Sequence, residues 1–441
     1  MAKKPKKPRT PHSRRGTIAH LIPIALLSAV AGYAIAITVA MTSAPEETVY
    51  ALPHDFRVTD PTFLPSALPG PPLTAGNKVD ILENGVGIFP AMLESIAAAK
   101  KTVNFEAYIF WSGEVGSRFR DALAERASKG VEVRVLLDAV GSSDLKLKPG
   151  DVDLMRRAGC HVEFFHPTKP WTIWTFNHRN HRRVLVVDGR VGFTGGVGFA
   201  DEWAGNADSP EHWRETAVRV EGPAVRGLQR AFQENWSEET GEPLVGDAFF
   251  PELEPAGSSS AAVVPSSPLA AMSGARRVYA ISLAAATKEI WIANSYFLPD
   301  HEIADLLVAA VKRGVDVRII VPSDEHNDVP ATKAAGRADF GPLLRGGVKI
   351  FEYEPTMFHL KTMVVDGIFS TVGSANFDER SFNLNEEINL FVYDADFGGL
   401  MRERYERDLT KSRPYTLAMW NHRPWKKRFT EWLARPVRSE L

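Results

Sequence analysis

The sequence predicts an α/β fold built from two similar halves, and two observations carry that prediction. First, an eighteen-residue pattern occurs twice. It runs His181-Arg-Arg183-Val-Leu-Val-Val-Asp188-Gly-Arg-Val-Gly-Phe-Thr-Gly195-Gly196-Val-Gly198 and His359-Leu-Lys361-Thr-Met-Val-Val-Asp366-Gly-Ile-Phe-Ser-Thr-Val-Gly373-Ser374-Ala-Asn376. Second, apolar strand-like runs alternate with amphipathic helical stretches, and the alternation is parallel in the two halves. Repeated strand–helix units imply a mixed sheet covered by helices in each half.

The elements follow in order. Residues 1–17 form a basic tail, with Lys3, Lys4, Lys6, Lys7, Arg9, Arg14 and Arg15 and no acid up to Arg15. Leu21 to Met41 then runs without a charge, long enough as a helix to cross a hydrocarbon core of about 30 Å. A cleaved signal peptide normally has a shorter apolar region, of about 7–15 residues, so residues 18–44 are expected to be an uncleaved transmembrane helix. Residues 45–78 are expected to be a tether, since seven prolines fall between 45 and 75 and little periodicity remains. The first half is placed at 79–245, a linker rich in Pro, Ser, Gly and Ala at 246–275, and the second half with a helical tail at 276–441.

Within the halves the repeats align closely. Ile96 through Tyr108 matches Leu283 through Tyr296, a helix end followed by a strand. Lys129-Gly-Val-Glu-Val-Arg134 matches Arg313-Gly-Val-Asp-Val-Arg318, where glycine stops a helix before an apolar strand. Val184-Leu-Val-Val and Thr362-Met-Val-Val are strands directly after the two histidines. In the linker, Ala262-Val-Val reads as a short strand.

Composition narrows the function. The net charge of −2 disfavours a dedicated nucleic-acid binder. The single cysteine, Cys160, excludes an intrachain disulfide and a cysteine zinc site, and reads as a small buried apolar residue. The doubled pattern itself suits cleavage of a phosphodiester. One imidazole can attack phosphorus while the other protonates the leaving oxygen, and cations hold the non-bridging oxygens. In a strand, residues i and i+2 share a face, so His359 and Lys361 should point into one cavity. Ser374 and Asn376 would add neutral donors beside a phosphate. Asp188 and Asp366 sit in Val-Val-Asp-Gly, which is also an ordinary strand-to-turn sequence.

This double motif resembles the phospholipase D superfamily, the "HKD" phosphodiesterases. The words Gly373-Ser374-Ala375-Asn376, Asp378-Glu-Arg-Ser381-Phe382 and Asn385-Glu386-Glu387-Ile-Asn389-Leu390 make it most similar to bacterial cardiolipin synthases, over roughly residues 80 to 435. The resemblance implies two α/β/α halves packed about a pseudo-twofold axis, with both motifs at the interface. It implies His181, Arg183, Asp188, His359, Lys361 and Asp366 as catalytic residues and Gly195, Gly196, Ser374 and Asn376 as the phosphate cradle. Glu387 should orient His359, and Glu215 should orient His181. The first copy departs from the pattern at Arg183, where lysine is expected, and at Gly198, where asparagine often sits. Neither a metal nor a cofactor is implied.

The expected partners are a phospholipid, phosphatidylglycerol first, and a membrane, with no nucleic acid. The resemblance implies transfer of a phosphatidyl group between two phosphatidylglycerol molecules, with a first-half histidine as nucleophile. A phospholipase D-type hydrolase shares the same chemistry, and a nuclease or non-catalytic lipid-binding member is a further alternative. Phe164, Phe165, Trp171, Trp174 and Phe176 could line an acyl groove or fill a core. The tail Trp420 to Trp432 is basic and aromatic, fit for anionic headgroups or for a plain amphipathic helix. The seven basic residues before the span, against four acids and one arginine in residues 45–60, predict a single-pass plasma-membrane protein with an extracytoplasmic body. Resemblance points instead to a cytoplasmic one.

Overall fold

The computed structural model describes residues 56–60, 63–68, 73–167, 177–268 and 274–434, together with positions 28 and 32. The expected transmembrane helix lies outside the described residues, as do Trp171, Trp174 and Phe176. No helix among the described residues is long and apolar enough to cross a membrane.

The first half contributes strands β1 (Thr74–Glu83), β2 (Thr102–Ala107), β3 (Glu132–Asp138), β4 (His161–Phe165), β5 (Arg179–Asn180), β6 (Val184–Val187), β7 (Val191–Gly195) and β8 (Thr216–Glu221). The second contributes β9 (Ser259–Ser266), β10 (Glu289–Asn294), β11 (Asp316–Pro322), β12 (Lys349–Tyr353), β13 (Lys361–Val365), β14 (Phe369–Gly373), β15 (Asn385–Tyr393) and β16 (Ser412–Tyr415). Apart from β5, they form one sheet in the order β16-β12-β11-β10-β13-β14-β15-β9-β1-β8-β7-β6-β2-β3-β4. Read from its centre, β9–β1, the order is palindromic, with β16 as an extra edge strand. That palindrome is the duplication written in topology.

Local sequence accounts for the elements. In β2 and β3 the run of Val, Phe and Leu is buried on both faces, as parallel strands covered by helices require. The helices Glu114–Ser128 and His301–Lys312 each stop two residues before a glycine with positive φ, Gly130 at 86° and Gly314 at 91°. Glycine adopts that conformation without a Cβ penalty. Each half has its own core beneath its helices. A third core draws Val184, Val186, Val218 and Val220 together with Val364, Val372, Ile388 and Leu390, all buried. Each such side chain stabilises by about 1.5–3 kcal/mol when removed from water, so the two halves are joined by an apolar interface.

Two expected boundaries are corrected. The linker 246–275 contains all of β9, the central strand that pairs with both β1 and β15; the short strand expected at Ala262-Val-Val is the middle of this eight-residue one, whose flanking Ser, Ala and Pro read as linker. The described part of the tether is packed rather than extended. Phe56, Val58, Phe63, Ala67 and Leu68 enter the second-half core, because these apolar side chains lie between the prolines that dominated the reading. Phe165 and Cys160 are core residues of the first half.

Candidate active site

The two halves exchange short backbone links at the site. Asn180 lies in β5, which pairs in parallel with the start of β15, and the His181 N–H donates to the Glu386 carbonyl at 2.9 Å. On the other side Phe358 pairs with Arg214, and the His359 N–H donates to the Arg214 carbonyl at 2.9 Å. The next residue along each accepting segment is a glutamate. Glu387 therefore meets His181 Nδ1 at 2.9 Å, and Glu215 meets His359 Nδ1 at 2.7 Å. The pairing is crossed between halves, which reverses the within-half pairing expected from the sequence. Within each half a strand, β7 or β14, separates the histidine strand from the glutamate strand, whereas across the interface the residue before each histidine pairs directly with the segment that leads into the glutamate.

Both histidines face a cavity of about 310 Å3, whose lining includes Tyr108, Arg179, Arg183, Trp203, Trp213, Tyr296, Asn376 and Arg380. Each cation folds back on its own histidine. Arg183 donates to the His181 carbonyl, and its second terminal nitrogen lies 3.0 Å from His181 Nε2. Lys361 Nζ donates to the His359 carbonyl at 3.0 Å and to Ser295 Oγ at 2.7 Å, and lies 3.3 Å from His359 Nε2. Tyr108 packs edge-on to His181, and Tyr296 edge-on to His359, with ring centroids 4.9 and 6.0 Å apart. These tyrosines occupy equal places in the two repeats, a signal that the sequence carried and that motif reading passed over.

Several expected site residues have other tasks. Asp188 and Asp366 are not in the cavity. They end strands that begin at the histidines, and seven residues at about 3.3 Å each carry them some 23 Å away. Asp188 accepts from the Lys100, Lys101 and Thr102 N–H groups, and Asp366 from those of Thr287, Lys288 and Glu289. Both are satisfied turn residues at φ 52° and 54°. Ser374 commits its hydroxyl to Glu387 and accepts from the Ile388 N–H at 2.9 Å, so it braces the glutamate instead of facing a phosphate. Gly195 packs on Ala217. A Cβ at Gly196 would come within 2.8 Å of Glu215 and 3.0 Å of Lys361, so the bare backbone there admits those two side chains. Asn376 does line the cavity and accepts from Ser295 Oγ at 2.9 Å.

The departure at Gly198 has a steric cause. A Cβ there would lie 2.8 Å from the Trp203 ring. Trp203 fills the space that a side chain at Gly198 would enter, and its indole N–H donates to Glu215 at 3.2 Å. It thus does for Glu215 what Ser374 does for Glu387. Trp203 and Trp213 also pack on His359, with ring centroids 5.1 and 5.4 Å away.

Electrostatics divides the two sides. Burial, then the Arg183 and Lys361 charges, hold His181 well below its ordinary value. Burial and Lys361 bring His359 down to about 4, and burial brings Lys361 down to about 7. Burial pushes Glu387 up to about 7. Burial also works on Glu215, but the hydrogen bond and charge of His359, the Lys361 charge and the Thr216 N–H outweigh it and leave Glu215 below the usual carboxylate range.

The family described as "Cardiolipin synthase, PLD-like domain" matches residues 92–236 and 279–409. A cardiolipin synthase of Geobacillus thermodenitrificans is 34% identical over 367 residues, 82% of this chain and 72% of that one. The major cardiolipin synthase ClsA of Bacillus subtilis is 34% identical over 354 residues, covering 80% and 73%. Among solved structures, phosphatidylserine synthase from Haemophilus influenzae shares the fold with a TM-score of 0.62 at 15% identity, over 82% of this chain and 95% of that one. With the doubled histidine motif meeting at one cavity, these matches place the chain in the cardiolipin synthase family of the phospholipase D superfamily.

Proposed function

We propose that the chain transfers a phosphatidyl group from one phosphatidylglycerol to the glycerol hydroxyl of another, through a phosphohistidine at His181. As a member of this family it is a phosphatidyltransferase of the phospholipase D superfamily. The observation that carries the mechanism is the pair of crossed histidine–glutamate contacts facing one cavity with a cation on each side.

The difference between the glutamates supports the division of roles. His181 Nδ1–H donates to Glu387, which leaves the Nε2 lone pair beside Arg183 to attack phosphorus. Burial pushes Glu387 up to about 7, so near pH 7 it is about half protonated and favours an imidazolium less than a fully ionised carboxylate does. His359 sits against an ionised Glu215, which favours one once the phosphodiester adds its negative charge to the cavity. In the first step the His181 Nε2–P bond forms, the bond from phosphorus to the glycerol oxygen breaks, and His359 gives glycerol its proton. In the second, the incoming glycerol hydroxyl gives its proton to His359, attacks phosphorus and displaces His181. Arg183 and Lys361 hold the non-bridging oxygens. The basic and apolar residues 1–44 would tether the body to a membrane, and the charge bias across them favours an extracytoplasmic body.

Incubation of the detergent-solubilised full chain with phosphatidylglycerol labelled in its phosphate tests this reading. Cardiolipin and free glycerol should form in equal amounts, and a denaturing quench should leave label on the peptide containing His181. Phosphatidic acid as the main product makes the chain a hydrolase, and label on the His359 peptide reverses the roles.

A further inference from the structure

The last described helix, Trp425–Ala434, wears its amphipathicity inside out. Trp425, Phe429, Trp432 and Leu433 are 71%, 52%, 60% and 53% exposed. At about 100° per residue these four share one arc of about 100° on the helix surface. Lys426 and Arg428, both exposed, fall on either edge of that arc. The opposite side carries the contacts with the protein. Glu431 is buried and accepts from Arg423 at 2.9 and 2.8 Å, Lys427 reaches Asp324, and Ala434 is buried with Leu298 and Ala335. Ion pairs hold the helix down, and its aromatic residues face outward. Phe429 and Trp432 stack on each other with centroids 5.9 Å apart.

The helix is also planted beside the cavity. It packs on the helix Pro330–Arg345, which carries the cavity residue Thr332. Tyr296, which touches the His359 ring, packs against the same small cluster as Ala434. In the first half, the loop between β3 and the helix Pro149–Arg157 presents Leu145 at 94% exposure between Asp144 and Lys146. Its Ser142 accepts from the Phe110 N–H and donates to the Tyr108 carbonyl, so this loop too adjoins a cavity wall.

We propose that the face formed by Trp425, Phe429, Trp432 and Leu433 inserts into the interface of an anionic phospholipid bilayer and brings the mouth of the catalytic cavity to the lipid surface. Aromatic rings flanked by a lysine and an arginine match that interface, with rings at headgroup level and cations on anionic phosphates. The proposal rests on the lipid-substrate reading above only in its choice of partner.

The test uses the full chain in nanodiscs. Phe429→Cys is labelled with an environment-sensitive fluorophore; Cys160 is buried and stays unlabelled. The probe should shift to the blue in phosphatidylglycerol discs, less so in phosphatidylcholine discs, and should be quenched there by nitroxide-labelled lipid. The variant carrying Trp425→Ser, Phe429→Ser and Trp432→Ser should lose about tenfold or more of its turnover of bilayer phosphatidylglycerol. It should keep its turnover of a short-chain, water-soluble phosphatidylglycerol, which shows that the body is folded. A blue probe that nitroxide-labelled lipid does not quench means that the chain itself covers the face, and a shift that grows with protein concentration means that a second copy does; either overturns the proposal. A blue-shifted probe on a chain that makes no cardiolipin leaves the helix proposal standing and sinks the transferase reading. Active chain with an unmoved probe does the reverse.

Discussion

Replacing each glutamate by glutamine should expose the crossed pairing and the division of roles together. Glu215 takes only donors: His359 Nδ1 at 2.7 Å, the Trp203 indole at 3.2 Å and the Thr216 N–H at 2.9 Å. Glutamine offers one oxygen, so Glu215→Gln turns an amide donor toward another donor in a buried site. It also removes the negative charge beside the imidazolium that protonates glycerol. At about 4 Å and an effective dielectric of about 20, that charge is worth about 4 kcal/mol. This corresponds to about three pKa units and a rate loss of about 10^3. Glu387, by contrast, is pushed up to about 7 and is already half protonated near neutrality. Glutamine resembles its neutral form and still accepts from His181, so Glu387→Gln should cost about tenfold or less.

The assay compares two phosphodiesters, one with an alcohol leaving group and one with a nitrophenol that departs without a proton. The Glu215→Gln defect should shrink by about 10^2 on the nitrophenyl substrate, since general acid catalysis contributes about 10^2–10^4. The Glu387→Gln defect should be the same on both. A Glu215→Gln defect independent of the leaving group would refute the contact with His359 as the source of acid catalysis and restore the within-half pairing.

Arg183→Lys should stay within about tenfold of wild type, because Lys361 already shows a lysine folding back on its histidine in the same way, whereas Arg183→Ala should raise the barrier by about 2–4 kcal/mol; steady-state kinetics on both variants checks this, and an unimpaired alanine variant defeats it. His359 and Lys361 are both needed charged and are pushed down to about 4 and about 7, so kcat/KM should fall with rising pH and fall more steeply above about 7. Bound phosphodiester stabilises the charged amine, so the limb in kcat should lie higher, and a kcat/KM flat to pH ~9 would contradict the assignment. Gly198→Asn, which restores the commoner residue, should destabilise by about 1–3 kcal/mol through overpacking on Trp203, measured as a lowered Tm; a wild-type Tm would mean that the ring has room to move. Asp188→Asn and Asp366→Asn should lower Tm and leave kcat unchanged, because the carboxylates serve backbone N–H groups far from the cavity; a collapse of kcat at unchanged Tm would return them to the catalytic set.

Much of the fold was legible because duplication writes it twice. The strands after His181 and His359, and the helix stops at Gly130 and Gly314, follow from local periodicity that either copy shows alone. What depended on contacts between distant residues was not legible. Of the central strand β9 only Ala262-Val-Val read as strand; its flanking Ser and Ala side chains read as linker, and its full length comes from pairing with β1 and β15. The pairing of histidines with glutamates is set by the link of Asn180 and His181 to Glu386 and by that of Phe358 and His359 to Arg214, each spanning well over a hundred residues. Trp203 was invisible for the same reason, since its role is defined by the absence of a side chain at Gly198.

Two glycines of the first motif, Gly196 and Gly198, account for the asymmetry that the proposed reaction requires of a symmetric fold. Two equal histidines would compete for the same role. In the second motif burial outweighs the Arg183 charge and the neutral donors Ser374 and Asn385, raising the pKa of Glu387 toward neutrality. In the first, Gly196 lets Lys361 approach Glu215, and Gly198 lets Trp203 and its N–H reach it. The hydrogen bond and charge of His359, the Lys361 charge and the Thr216 N–H keep Glu215 ionised in a site just as buried. Because the contacts are crossed, the ionised glutamate of the first half serves the histidine of the second, and the near-neutral glutamate of the second serves the histidine of the first. Both imidazoles are held low in the free protein, His359 at about 4, and the ionised Glu215 makes His359 the one that a bound phosphodiester can more readily turn into an imidazolium. The apparent defects of the first motif are the source of the difference on which a two-step transfer depends.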